Sequence, residues 1–136
     1  MKVLSIEQMH QLKELGVDVK PKGMCLMYTS DSSDNYYLKY GESTCEDDVV
    51  AFSLQDIIEL LPKYISYKYE VLSKTYEDIY VLVWDMEGGI LKYCDDIGCE
   101  REYTNHAIIH VNEIGALESF YQMLIWVIEN GYLKTK

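Results

Sequence analysis

Two spacings of apolar residues alternate along the chain, one at three to four residues and one at two, and they predict three helices and a set of hairpin-paired strands. Ile6, Met9, Leu12 and Leu15 form a stripe on one face of a first helix whose wet side carries Glu7, Gln11 and Glu14. Ser5 and Gln8 frame its start as a capping box, and Gly16 ends it. After Lys20-Pro21-Lys22-Gly23, the mostly apolar runs 24–29 and 36–40 flank a turn-rich stretch at 30–35, the pattern of a hairpin with a loose loop. Val49-Val50-Ala51-Phe52 reads either as a short strand or as an extended lead into a second helix. Ser53 is the expected cap of that helix, with Asp56 at the reciprocal position, Leu54, Ile57, Ile58 and Leu61 on the buried side, and Pro62 as the stop.

Residues 65–71 alternate strictly, with Ile65, Tyr67, Tyr69 and Val71 against Ser66, Lys68 and Glu70, which predicts a strand with one buried face. Residues 79–84 are apolar at every position, as a central strand would be, and a turn at 85–89 leads back into 90–94. The β-branched run 107–111 is the last expected strand. From about Asn112 to Asn130 a long helix is predicted, its stripe of Ile114, Leu117, Tyr121, Leu124 and Ile128 widened by Phe120, Met123 and Val127, with Gly131 at the C-terminal cap. This order of elements predicts one α+β domain over residues 1–136. It is expected to hold an antiparallel or mixed sheet of about five to six strands and three helices, the C-terminal helix packed on the sheet.

Charge narrows the partners. The chain carries 12 basic and 23 acidic residues, a formal net charge of −11, and Arg101 is its only arginine. Such a surface repels phosphate and lacks the guanidinium forks that read bases, which argues against direct nucleic-acid binding, so no direct nucleic-acid contact is expected and a basic protein partner is favoured. The longest apolar runs, residues 79–84 and 123–128, have six residues each, far below the roughly 18 that a membrane span requires. The first residues turn polar too early for a signal peptide. A cytoplasmic protein with no membrane contact is therefore expected, and with it reduced thiols at Cys25, Cys45, Cys94 and Cys99.

Candidate chemistry concentrates in one segment. Cys94 and Cys99 stand across a four-residue gap, with His106 and His110 close behind, which makes a zinc site the first idea to weigh. On a strand, however, the two histidines would lie roughly 13 Å apart at ~3.3 Å per residue, too far to share an ion that sits ~2 Å from each ligand. Only a helix there would bring them together. A thiol nucleophile paired with either histidine lacks any family signature around it. Adjacent carboxylates at Asp47-Asp48, Glu77-Asp78 and Asp95-Asp96 fit solvated loops of an acidic chain, and Asp31, Asp34 and Asn35 lack the full calcium-loop pattern. No catalytic residue, cofactor-binding residue or metal ligand is assigned, and no cofactor is expected.

Thirteen tyrosines are the compositional oddity. Tyr28, Tyr36, Tyr40, Tyr67, Tyr69, Tyr80 and Tyr93 fall on expected strands, where β-propensity favours rings in the core with hydroxyls at its rim; the sharper reading is an interaction surface.

Three segments together carry a resemblance: Ile6-Glu7-Gln8-Met9-His10-Gln11-Leu12-Lys13-Glu14-Leu15-Gly16, then residues 51–63 from Ala51-Phe52-Ser53 to Leu61-Pro62-Lys63, then residues 117–131 ending Met123-Leu124-Ile125-Trp126-Val127-Ile128-Glu129-Asn130-Gly131. They resemble small acidic proteins from prophage-like and mobile regions of gut anaerobic bacteria, a group with no assigned activity. The resemblance implies an accessory role and carries no catalytic residue with it. The leading expectation is a non-enzymatic acidic interaction protein that binds a basic partner. The alternatives are a toxin-neutralising immunity protein and a small enzyme, Cys/His- or metal-dependent, built on residues 94–110. Homodimerisation through an exposed strand edge or a surplus helix face is left open.

Overall fold

The computed structural model describes residues 2–30, 35–85, 89–95, 107–111 and 115–133, with the backbone alone at 69, 95 and 107–111. The elements run α1 (Ile6–Glu14), β1 (Cys25–Ser30), β2 (Tyr36–Gly41), β3 (Val49–Val50), α2 (Leu54–Leu60), β4 (Tyr64–Val71), β5 (Lys74–Asp85), β6 (Ile90–Asp95), β7 (Ala107–Val111) and α3 (Ala116–Glu129). The α+β class holds, with antiparallel pairing between all neighbouring strands. The strands are divided between two sheets, β2-β1-β3 and β4-β5-β6-β7. The chain forms two compact units, Met1–Ile57 and Ile58–Leu133, the division falling within α2. Among the described residues, no helix is long and apolar enough to cross a membrane.

In the first unit, local chemistry sets the boundaries of α1. The Ser5 hydroxyl accepts from the Gln8 amide at 3.2 Å while the Gln8 side chain accepts from the Ser5 amide at 3.0 Å, and Gly16 leaves the helix at φ +94°. Met9 and Leu12 are buried on its apolar stripe. Strand β1 pairs with β2 over its whole length and with β3 at Met27–Val50 and Tyr28–Val49. The far side of β3 is closed by backbone bonds, from the Val50 amide to the Val19 carbonyl and from the Leu4 amide to the Phe52 carbonyl, each 2.9 Å. Ser53 caps α2 as expected, its amide donating to Asp56 at 2.8 Å. Ile57 and Leu61, one turn apart, are buried, whereas Ile58 is exposed. That corrects the expected buried face: a helix of seven residues presents a narrow stripe, and Ile58 lies about 100° around from Ile57.

In the second unit β5 is central to the long hairpins, paired with β4 on one side and β6 on the other. Trp84 and Phe120 approach to 5.7 Å between rings, and Tyr93 and Trp126 to 6.1 Å, which places α3 on the face that carries Trp84 and Tyr93. Helix α3 packs on β6 and β7. Tyr93 is fully buried, and its hydroxyl donates to the Pro62 carbonyl at 2.7 Å, so burial is compatible with its polar tip. Burial also pushes its ionisation far above the ordinary tyrosine range. Ser119, Phe120, Tyr121, Met123, Leu124, Ile125 and Val127 are buried, a wider face than one stripe. The expected start of this helix near Asn112 and the turn at 86–88 lie outside the described residues.

The strict alternation of β4 did not translate into burial. Ile65 is buried, but Tyr67 and Val71 on the same face are exposed, as is Tyr76 on β5. Length gives the reason. The fourteen residues of α3 span about 21 Å at 1.5 Å each, whereas the twelve of β5 reach roughly 40 Å at 3.4 Å each. A helix of that length shelters only part of such a strand. Residues 74–79 are all exposed, and Tyr80 is the first buried one.

Candidate interaction surfaces

The expected chemical segment separates on folding. Cys94 is fully buried on β6, in register with Val81 on one side and Ala107 on the other, and it is disulfide-bonded. The expectation of reduced thiols therefore holds at Cys25 and Cys45, which are free, and fails at Cys94. A sulfur tied up in this way offers no thiolate nucleophile. His110 lies on strand β7 opposite Lys92, so the helical arrangement that a shared zinc would need is absent there. Cys99, His106, Asp96, Asp31 and Asp34 lie outside the described residues. Among the described residues no three His, Cys, Asp or Glu groups gather as a metal ion would require.

The carboxylate pairs also come apart. Glu77 stands opposite Lys68 and Asp78 opposite Tyr67, so as neighbours on one strand they point to opposite faces. Asp47 is exposed, while Asp48 is only 3 % exposed. Burial alone would raise the Asp48 carboxyl, but donors from Thr29, Thr44, Ser43 and Cys45 outweigh it and hold the group below the usual aspartate range. Three of these converge on Oδ2, from the Ser43 hydroxyl at 3.0 Å, the Thr44 amide at 3.0 Å and the Cys45 amide at 3.2 Å. Oδ1 is buried without a hydrogen-bond partner. Asp48 thus acts as the knot that folds loop 42–48 back onto the sheet.

Beside the end of α1 lies an open groove of about 420 Å³ rimmed by Lys13, Lys20 and Lys22. Asp18 neutralises part of that charge, pairing with Lys22 at 3.6 Å and accepting from the Lys20 amide at 3.1 Å. The groove's lining holds no serine, threonine, cysteine or histidine.

Exposed aromatic and aliphatic side chains instead collect at two sheet edges. Among the described residues, strand β2 has a strand neighbour on one side only, and Tyr36, Tyr37, Leu38 and Tyr40 are exposed along it, Tyr40 by 68 %. Tyr36 also meets the His10 ring edge-on at 5.5 Å. The loop that follows presents Glu42, Glu46 and Asp47 to solvent. Among the described residues the other edge is β4, where Tyr64, Tyr67 and Val71 are exposed, joined by Tyr76 and Ile79 of β5. At the tip of this hairpin Leu72 and Ser73 hold φ of +52° and +66°, and Leu72 is 94 % exposed. A two-residue turn of this kind normally takes Asn-Gly, because a side-chain-bearing residue at positive φ is strained.

The tyrosines therefore depart from the expected core positions. Tyr80 and Tyr93 are buried, but Tyr36, Tyr40 and Tyr67 are exposed and Tyr28 is half-buried, its hydroxyl donating to the Leu4 carbonyl at 2.6 Å. Alternation in the sequence marked which residues share a face; no signal in it marked where cover stops. No family model matches the chain, and neither a curated protein nor a solved structure is similar to it.

Proposed function

We propose that this chain is a non-enzymatic interaction protein that takes an extended basic segment of a partner along the free edge of β2. The observation that carries the reading is the row of exposed Tyr36, Tyr37, Leu38 and Tyr40 on an edge strand, running into the exposed carboxylates of Glu42, Glu46 and Asp47. Strand addition supplies main-chain hydrogen bonds, alternate side chains supply contact area, and the acidic loop selects for positive charge. The net charge of −11 steers the same class of partner over a longer range.

A defined probe tests it. A short peptide alternating lysine and valine should bind, measured by calorimetry, with an affinity that falls as salt is raised. The triple variant Glu42→Lys, Glu46→Lys, Asp47→Lys should lose most of that affinity, and a peptide alternating glutamate and valine should not bind. Equal affinity for the two peptides, or an unchanged triple variant, would sink the reading.

A further inference from the structure

The second bare edge has a different chemistry from the first. Along residues 64–79, which comprise β4, its turn and the outer half of β5, two lysines (Lys68, Lys74) stand against three acids (Glu70, Glu77, Asp78), for 2 − 3 = −1. In a chain of net charge −11 this arm is close to neutral, so it adds little local repulsion to a contact between two copies.

The pattern along the edge is also self-complementary. Two copies of β4 pairing antiparallel about a twofold axis normal to the sheet must place residues of the same face opposite each other. With the axis at Tyr69, Lys68 of one copy faces Glu70 of the other, and this happens twice; Tyr67 faces Val71, also twice. An axis at Lys68 or Glu70 would set that charge against itself. Lys68 and Glu70 are both exposed, and Tyr67 and Val71 are exposed on the opposite face. A lone lysine on an edge strand is a common guard against unwanted pairing. Here Glu70, two residues on and on the same face, turns the guard into a lock for a second copy. Strand β2 offers no such match, since Lys39 is its one charged residue.

We infer that the chain forms a homodimer in which the two β4 strands pair antiparallel about Tyr69, joining the four-stranded sheets of two copies into one of eight strands. The interface is independent of the β2 reading, because it uses another strand and another partner.

The register gives a test that a general tendency to self-associate would not pass. The full chain should sediment as a dimer that dissociates on dilution. Lys68→Glu sets carboxylate against carboxylate at both crossings of the axis, and Glu70→Lys sets ammonium against ammonium there. Each variant should therefore self-associate about tenfold more weakly or worse, given that opposed like charges destabilise a strand pair. Mixing the two variants restores an opposite-charge arrangement across the interface, and a heterodimer of near-native affinity should appear; the double variant carrying both changes should recover self-association. Both positions are exposed, and circular dichroism checks that each variant keeps its fold. A chain that stays monomeric at high concentration overturns the inference, as does a dimer whose affinity ignores these changes, or a failure of the mixed variants to associate.

Discussion

Strand β5 passes through two environments within twelve residues. From Tyr80 to Trp84 it is buried or half-buried beside β6, whereas from Lys74 to Ile79 every residue faces solvent. Both halves contain large apolar side chains: Leu82 and Trp84 in one, Tyr76 and Ile79 in the other. The difference is cover rather than composition. Contacts among Trp84, Phe120, Tyr93 and Trp126 tie the inner half and its neighbour to α3, and burial of such side chains is where stability comes from. The outer half keeps the same alternation without that cover, so among the described residues its apolar side chains stay exposed.

Truncation tests that contrast most strongly. Leu124→Ala, at a fully buried position on α3, should cost about 2–5 kcal/mol in denaturant unfolding. Ile79→Ala, in the exposed half, should cost about 1 kcal/mol or less for the monomer. Comparable costs at the two sites would erase the distinction.

Extremes of pH should separate the two units in opposite directions. The Asp48 carboxyl is held below its ordinary range, so the stability it contributes is present above the unfolded aspartate value, about 3.9, and is lost as pH falls through the lower folded value. Asp48→Asn should remove that acid dependence and cost about 1–3 kcal/mol by leaving donors of loop 42–48 poorly matched. Tyr93 behaves conversely: its ionisation is raised by burial, so the folded state loses stability as pH climbs above the unfolded tyrosine value, about 10. Amide exchange resolved by segment, recorded against pH, should show the first unit loosening in acid and the second in alkali.

The turn provides the smallest effect. Replacing Leu72-Ser73 by Asn-Gly relieves two positive-φ positions and should stabilise the hairpin by about 1 kcal/mol. If thermal unfolding shows a loss instead, Leu72 is making a contact that its 94 % exposure does not reveal.

The elements were legible in the chain because their signals are local. Ser5 and Gln8 bond each other within one turn, Ser53 and Asp56 do the same, Gly131 adopts the expected positive φ, and the period-two run at 65–71 and the β-branched run at 107–111 became strands. The candidate surfaces were legible only as an excess of tyrosine. Folding was needed to show which tyrosines stay bare, that the strands fall into two sheets, and that Cys94 sits buried in a disulfide. Periodicity fixes which side chains share a face. Whether that face is covered depends on the length and placement of an element tens of residues away, and a chain read in order does not contain that distance.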